Sequence, residues 1–108
     1  MEYVMNPYIV YVRVNERNLI TAINSSAFLM DTTGWIEIDR GYTQNYHHAQ
    51  NNYFGKSIMD ERGIYHYKYV AESEVNGLPA VYERSQEEMN ADYIELASMP
   101  SQLDIIEA

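Results

Sequence analysis

Tyr8-Ile9-Val10-Tyr11-Val12-Arg13-Val14, followed after the polar stretch Asn15-Glu16-Arg17-Asn18 by Leu19-Ile20-Thr21-Ala22-Ile23-Asn24, decides the fold class. β-Branched and aromatic residues crowd both runs, and such residues fit a pleated, half-buried surface better than a helix. The pair reads as an N-terminal β-hairpin. Because strand side chains alternate with period two, Tyr8, Val10, Val12 and Val14 share one face, while Ile9, Tyr11 and Arg13 share the other. The valine-rich face is predicted to be the core side.

Working outward, the turn Asp31-Thr32-Thr33-Gly34 leads into Trp35-Ile36-Glu37-Ile38-Asp39, with Ile36 and Ile38 expected inward and Glu37 and Asp39 outward. Residues 41–55 are polar and aromatic, and two readings stand: a short helical turn around 45–50, or an irregular loop held by side-chain hydrogen bonds. Ser57-Ile58-Met59, Asp60-Glu61-Arg62-Gly63 and Ile64-Tyr65-His66-Tyr67-Lys68-Tyr69-Val70 read as a second hairpin, which places Tyr65, Tyr67 and Tyr69 in one row. Asn76-Gly77 then turns the chain into Leu78-Pro79-Ala80-Val81-Tyr82-Glu83, a return strand against 64–70, with Pro79 at an edge or strand start.

Ser85-Gln86-Glu87-Glu88 carries the capping-box pattern, in which Ser85 accepts from the N3 amide and Glu88 reaches back to the cap amide. A helix should follow. Met89, Tyr93, Leu96 and Ala97 recur at helical spacing as a stripe for the sheet, with Glu87, Asp92 and Glu95 toward water, and Pro100 should end the helix. The expected architecture is one α+β domain over residues 1–97: an antiparallel sheet of about five hairpin-built strands with one C-terminal helix packed on it. Residues 98–108 read as a frayed tail or a short partner-binding segment presenting Leu103, Ile105 and Ile106.

At 46% apolar and 21% charged residues, the 108-residue chain has the composition of a folded protein with room for a single core. It holds no cysteine, so disulfides and thiolate metal sites are excluded. The opening residues lack a basic secretion signal, and no stretch approaches the length of a membrane span, which predicts a soluble protein made in a cytoplasm. The net charge of -9 is unevenly placed. Residues 1–70 balance at -1, with seven acids and six bases, whereas residues 71–108 balance at -8, with nine acids and Arg84 as the only base. That distribution argues against direct DNA or RNA binding, which needs a basic footprint. It leaves two readings of the acidic third: a solvated helix face, or a surface for a basic partner.

Chemistry-bearing patterns are thin. His47-His48 with His66 lacks zinc-ligand spacing, and adjacent histidines on a strand would point apart. Asp60 and Glu61 sit in a turn, where Asp serves backbone hydrogen bonding before it serves proton transfer. No phosphate loop or nucleophile elbow occurs. The reading is therefore a protein without enzymatic activity, metal or cofactor, working by contact. Candidate contact residues are Tyr46, His47, His48 and Tyr53 in the middle segment, the row Tyr65, Tyr67 and Tyr69, and the acids Glu87, Glu88, Asp92 and Glu95. A tyrosine row can be a binding platform or half-buried sheet packing, and packing is the preferred reading for 65, 67 and 69.

The succession Ile23-Asn24-Ser25-Ser26-Ala27-Phe28-Leu29, Gly34-Trp35-Ile36-Glu37-Ile38-Asp39, Tyr46-His47-His48-Ala49-Gln50-Asn51-Asn52-Tyr53-Phe54, residues 60–70 and Glu83-Arg84-Ser85-Gln86-Glu87-Glu88 resembles small proteins encoded among the tail genes of phages and prophages of Firmicutes. The likeness covers residues 8–93. It implies a tail-associated structural or accessory role with phage tail proteins as partners, in the virion tail or the host cytoplasm, and leaves homo-oligomers open. Family members start closer to the first strand, have a shorter link than residues 71–79 and continue into a further C-terminal helix, which removes the basis for self-assembly through that helix here. The competing reading is an acidic counter-defence protein, such as an inhibitor of a CRISPR nuclease, that occupies a basic nucleic-acid channel of a host protein by imitating phosphate charge.

Overall fold

A computed structural model describes residues 6–98 of the chain. The expected stop at Pro100, and the readings of Leu103, Ile105 and Ile106, lie outside the described residues. Strands β1 (Tyr8–Val14) and β2 (Ile20–Ser25) form the predicted antiparallel hairpin, with Val12 opposite Ile23 and Tyr11 opposite Asn24. Asn15 builds its turn, because its side-chain oxygen accepts from the amides of Arg17 and Leu19 at 2.9 and 3.0 Å. Asn18 takes the left-handed conformation that Asn tolerates best among residues with a Cβ. Val10 and Val12 are fully buried, so the valine face is the core face.

Strand β3 (Ile36–Gly41) lies along the other side of β1, giving the order β2-β1-β3. Val10 pairs with Asp39 and Tyr11 with Glu37, so Ile38 is an extra residue in β3, a bulge. Ile38 is buried, Ile36 partly so, and Glu37 is exposed as expected. Asp39 departs from its expected outward place. The bulge breaks the alternation, and Asp39 sits half-buried, accepting from the Tyr53 hydroxyl at 2.8 Å.

Of the two readings of the middle segment, the helical one holds. It forms two single turns, α1 (Gln44–His47) and α2 (Ala49–Asn52), separated by His48 in a non-helical conformation. Glycine is required just before them. A Cβ on Gly41 would collide with the Tyr46 ring, which lies over that backbone.

The second hairpin takes a different form from the expected one. Residues 57–66 make one bridge, Met59 to Tyr65, rather than paired strands. Asp60 is the cause: its side chain accepts from the amides of Arg62 and Ile64 at 2.8 and 3.0 Å, which draws the chain into a tight side-chain-bonded turn. Extended structure resumes in β4 (Tyr67–Val75), which runs five residues past Val70, and turns at Asn76-Gly77, both at positive φ, into β5 (Leu78–Glu83). Tyr69 pairs with Val81 and Glu74 with Pro79, so residues 70–73 stand opposite Ala80 alone, itself at φ 61°. That irregularity bends the hairpin, and Val75 and Leu78 near its tip pack against the core.

The five strands therefore divide into two antiparallel sheets, β2-β1-β3 and β4-β5, rather than forming one. They touch where Leu19 bridges Lys68, with the Tyr69 amide donating to the Asn18 carbonyl at 2.8 Å. Pairing goes no further, and α2 packs against β2. Both sheets enclose one core, in which Phe54 stacks on Tyr67 with ring centroids 4.1 Å apart.

Helix α3 (Gln86–Ser98) completes the α+β fold. Ser85 caps it, its hydroxyl accepting from the Glu88 amide at 3.1 Å. The reciprocal half of the capping box is redirected, since the Glu88 carboxylate accepts from Arg84 instead. The apolar stripe is corrected too. Met89 is buried, but Tyr93, Leu96 and Ala97 are exposed, so the helix buries one side chain of the expected stripe and leaves the other three at the surface.

Candidate protein-contact site

Arg84, between β5 and α3, organises the junction of the helix with both sheets. Its side chain is 1% exposed. A buried guanidinium left without acceptors costs the fold several kcal/mol, and each of its three nitrogens finds an acceptor here. Nε donates to Glu88 at 2.8 Å, one terminal nitrogen to the Tyr65 carbonyl at 3.0 Å and the other to Asp92. Arg17, from the β1–β2 turn, donates to the second oxygen of Asp92 at 3.0 Å. Arg62 pairs with Asp60 at 2.9 Å, donates to Asn90 at 3.0 Å and lies 4.9 Å above the Tyr93 ring.

Three arginines from three parts of the chain thus hold one side of α3. Burial pushes the Asp92 carboxyl up, but the hydrogen bonds from Arg17 and Arg84 outweigh it and hold the group below the ordinary carboxylate range. Asp60 behaves in the same way, with the Ile64 amide and Arg62 overcoming its desolvation. Both stay ionised at neutral pH and serve as anchors.

Beyond this tether, α3 presents Tyr93, Ile94 and Leu96 at 41%, 67% and 54% exposure. An open groove of about 240 Å³ lies alongside, lined by Leu19, Ile64, Tyr65, Asp92 and Leu96 among others. Exposed apolar side chains next to an open groove are suited to protein contact.

A second aromatic group sits at the far end of β1. Tyr8 meets His47 edge-on at 4.6 Å, and the rings of His47 and His48 lie 4.2 Å apart under a half-exposed Phe28. The two histidines come together because His47 ends one helical turn and His48 links it to the next, instead of the pair alternating along a strand. His47 Nδ1 is buried without a hydrogen-bond partner. No group of three or more His, Cys, Asp or Glu side chains among the described residues is placed to hold a metal ion.

The remaining candidate residues divide sharply. Tyr53 and Tyr67 are core residues, at 6% and 3% exposure, and Tyr46 and Tyr69 pack against that core, so none of these rings forms a free platform. Burial and the Asp39 hydrogen bond push the Tyr53 hydroxyl well above its ordinary range. Tyr65 is half-buried beside the groove. Of the four helix acids, Glu88 and Asp92 are engaged by arginines, and Glu87 and Glu95 lie on exposed positions. Asp92 is therefore not turned to water as its spacing suggested. Sequence reasoning passed over Arg84, Arg17, Arg62 and Ile94. Only Arg84 carried a signal, as the single base in an acidic third. No family model, curated protein or solved structure matches the chain.

Proposed function

We propose that the chain is a non-enzymatic contact module associated with phage tails, acting as a virion component or assembly accessory on a tail protein. The tail assignment draws on the resemblance of residues 8–93 alone. The contact assignment draws on one observation: apolar side chains face solvent while the ionic groups of the same region are turned on one another. Tyr93, Ile94 and Leu96 are exposed, whereas Asp60, Glu88 and Asp92 are held by Arg62, Arg84 and Arg17. Covering exposed apolar surface is the main source of association energy, and saturated ion pairs leave little capacity for binding or turning over a substrate.

Phosphate imitation, the basis of the counter-defence reading, draws less support, because Glu88 and Asp92 are neutralised within the molecule. Mass spectrometry of purified virions tests the tail assignment, with the chain expected in a fixed ratio to tail components. Absence from virions, together with salt-sensitive binding to a host nuclease, overturns it.

A further inference from the structure

We propose that Asn76-Gly77, the turn between β4 and β5, is a self-modification site at which the asparagine converts to isoaspartate and unlatches the hairpin tip. This goes beyond the contact reading above and does not depend on it. Among the nine asparagines of the chain, Asn76 alone precedes a glycine. Both residues are exposed at positive φ, 50° and 80°, and a Cβ on Gly77 would meet nothing within 4 Å. No side chain, its own or a neighbour's, crowds Gly77, whose backbone nitrogen is the nucleophile.

That nitrogen bonds to Cγ of Asn76, the Cγ–Nδ2 bond breaks, and ammonia leaves with the former Gly77 amide proton. Water then opens the cyclic imide. Cleavage at Cγ gives aspartate, whereas cleavage at the backbone carbonyl gives isoaspartate, whose main chain runs through Cβ and Cγ and is one carbon longer. The net change is one water consumed and one ammonia released, with no oxidant. Ring closure requires residue 76 to rotate, so the turn must first open. Beyond the irregularity at residues 70–73 only Glu74–Pro79 and Val75–Leu78 pair, and such a short, exposed end opens locally without the pairs from Tyr67–Glu83 to Tyr69–Val81. A hollow of about 270 Å³, bordered by Val75, Asn76, Leu78, Tyr53 and Tyr67 among others, gives the chain room to turn.

The products differ in what they do to the fold. A main chain one carbon longer breaks the register of a two-residue left-handed turn, so Val75 and Leu78 leave the core against which they pack. Aspartate keeps the backbone length and tolerates the same φ, so that product leaves the tip seated. The fold also supplies a control in Asn24-Ser25. Its second residue is again small, but Ser25 is fully buried and the pair lies in β2 opposite Val10 and Tyr11.

The test ages the full chain in mildly alkaline buffer, because attack requires the deprotonated amide. Mass spectrometry follows the peptide spanning residue 76, with its aspartate and isoaspartate forms separated chromatographically. Conversion should run at least roughly tenfold faster at Asn76 than at Asn24, whose strand opens at a larger free-energy cost. Nuclear magnetic resonance of the isolated isoaspartate form should show the Val75 and Leu78 methyl groups released and the Tyr53 and Tyr67 rings shifted. Asn76→Asp, the other product made directly, should fold and keep those signals in place. Unchanged Asn76, equal rates at Asn76 and Asn24, aspartate as the sole product, or an isoaspartate form with Val75 and Leu78 still seated overturns the proposal. So does release of the tip in Asn76→Asp, since charge rather than chain length would then be the cause.

Discussion

Arg84, placed just before α3, closes on Asp92 two turns into it, so the residue that follows β5 also fixes the direction in which the helix leaves the sheet. Arg17 completes the clamp from the β1–β2 turn. The single apolar anchor of the helix is Met89. Ionic geometry thus supplies what a long apolar stripe would supply in an ordinary sheet-packed helix.

Replacing Arg84 by Ala should cost about 3 kcal/mol, because Asp92 and the Tyr65 carbonyl lose their donor in a half-buried setting. Arg84→Lys should recover only part of this, since an ammonium cannot reach three acceptors in a planar fork. Urea denaturation of the two variants beside the parent checks both the size and the order.

Acid should loosen the same junction. Asp92 and Asp60 have folded-state pKa values below their unfolded ones. Their contribution to stability is therefore complete above about pH 5 and drains away as the pH falls below about 4 toward the folded values. Denaturation midpoints between pH 2 and pH 7 should show this decline. Asp92→Asn should flatten it while lowering stability at neutral pH.

Tyr53→Phe keeps the buried ring and removes the hydroxyl that donates to Asp39. The expected loss is about 1 kcal/mol, one net hydrogen bond. Tyr53→Ala should cost about 3–5 kcal/mol through the cavity it leaves. Because burial and Asp39 hold the Tyr53 hydroxyl protonated, alkaline titration followed by tyrosinate absorbance should leave it un-ionised until the protein unfolds.

The redrawn helix stripe is open to a direct comparison. Met89→Ala should cost about 2–4 kcal/mol and speed amide exchange throughout α3. Leu96→Ala, at an exposed position, should change stability by less than about 0.5 kcal/mol. Equal losses at the two sites would restore the continuous stripe that the spacing suggested.

Local rules made much of this fold legible in the residues themselves. Alternation along β1 marked Val10 and Val12 as core, Asn76-Gly77 marked the β4–β5 turn, and Ser85 marked the start of α3, since each depends only on neighbours in the chain. Tertiary structure decided what spacing cannot encode. The β3 bulge brought Asp39 to Tyr53, and the five strands divided into two sheets around one core. The contact candidates divided for the same reason. Periodicity places a side chain on a face of its own element, but whether that face is covered depends on where the other elements stop. Tyr53 and Tyr67 met the core and Glu88 and Asp92 met arginines, while Ile94 faces solvent and Leu96 lies exposed at the rim of the groove beside Leu19 and Ile64.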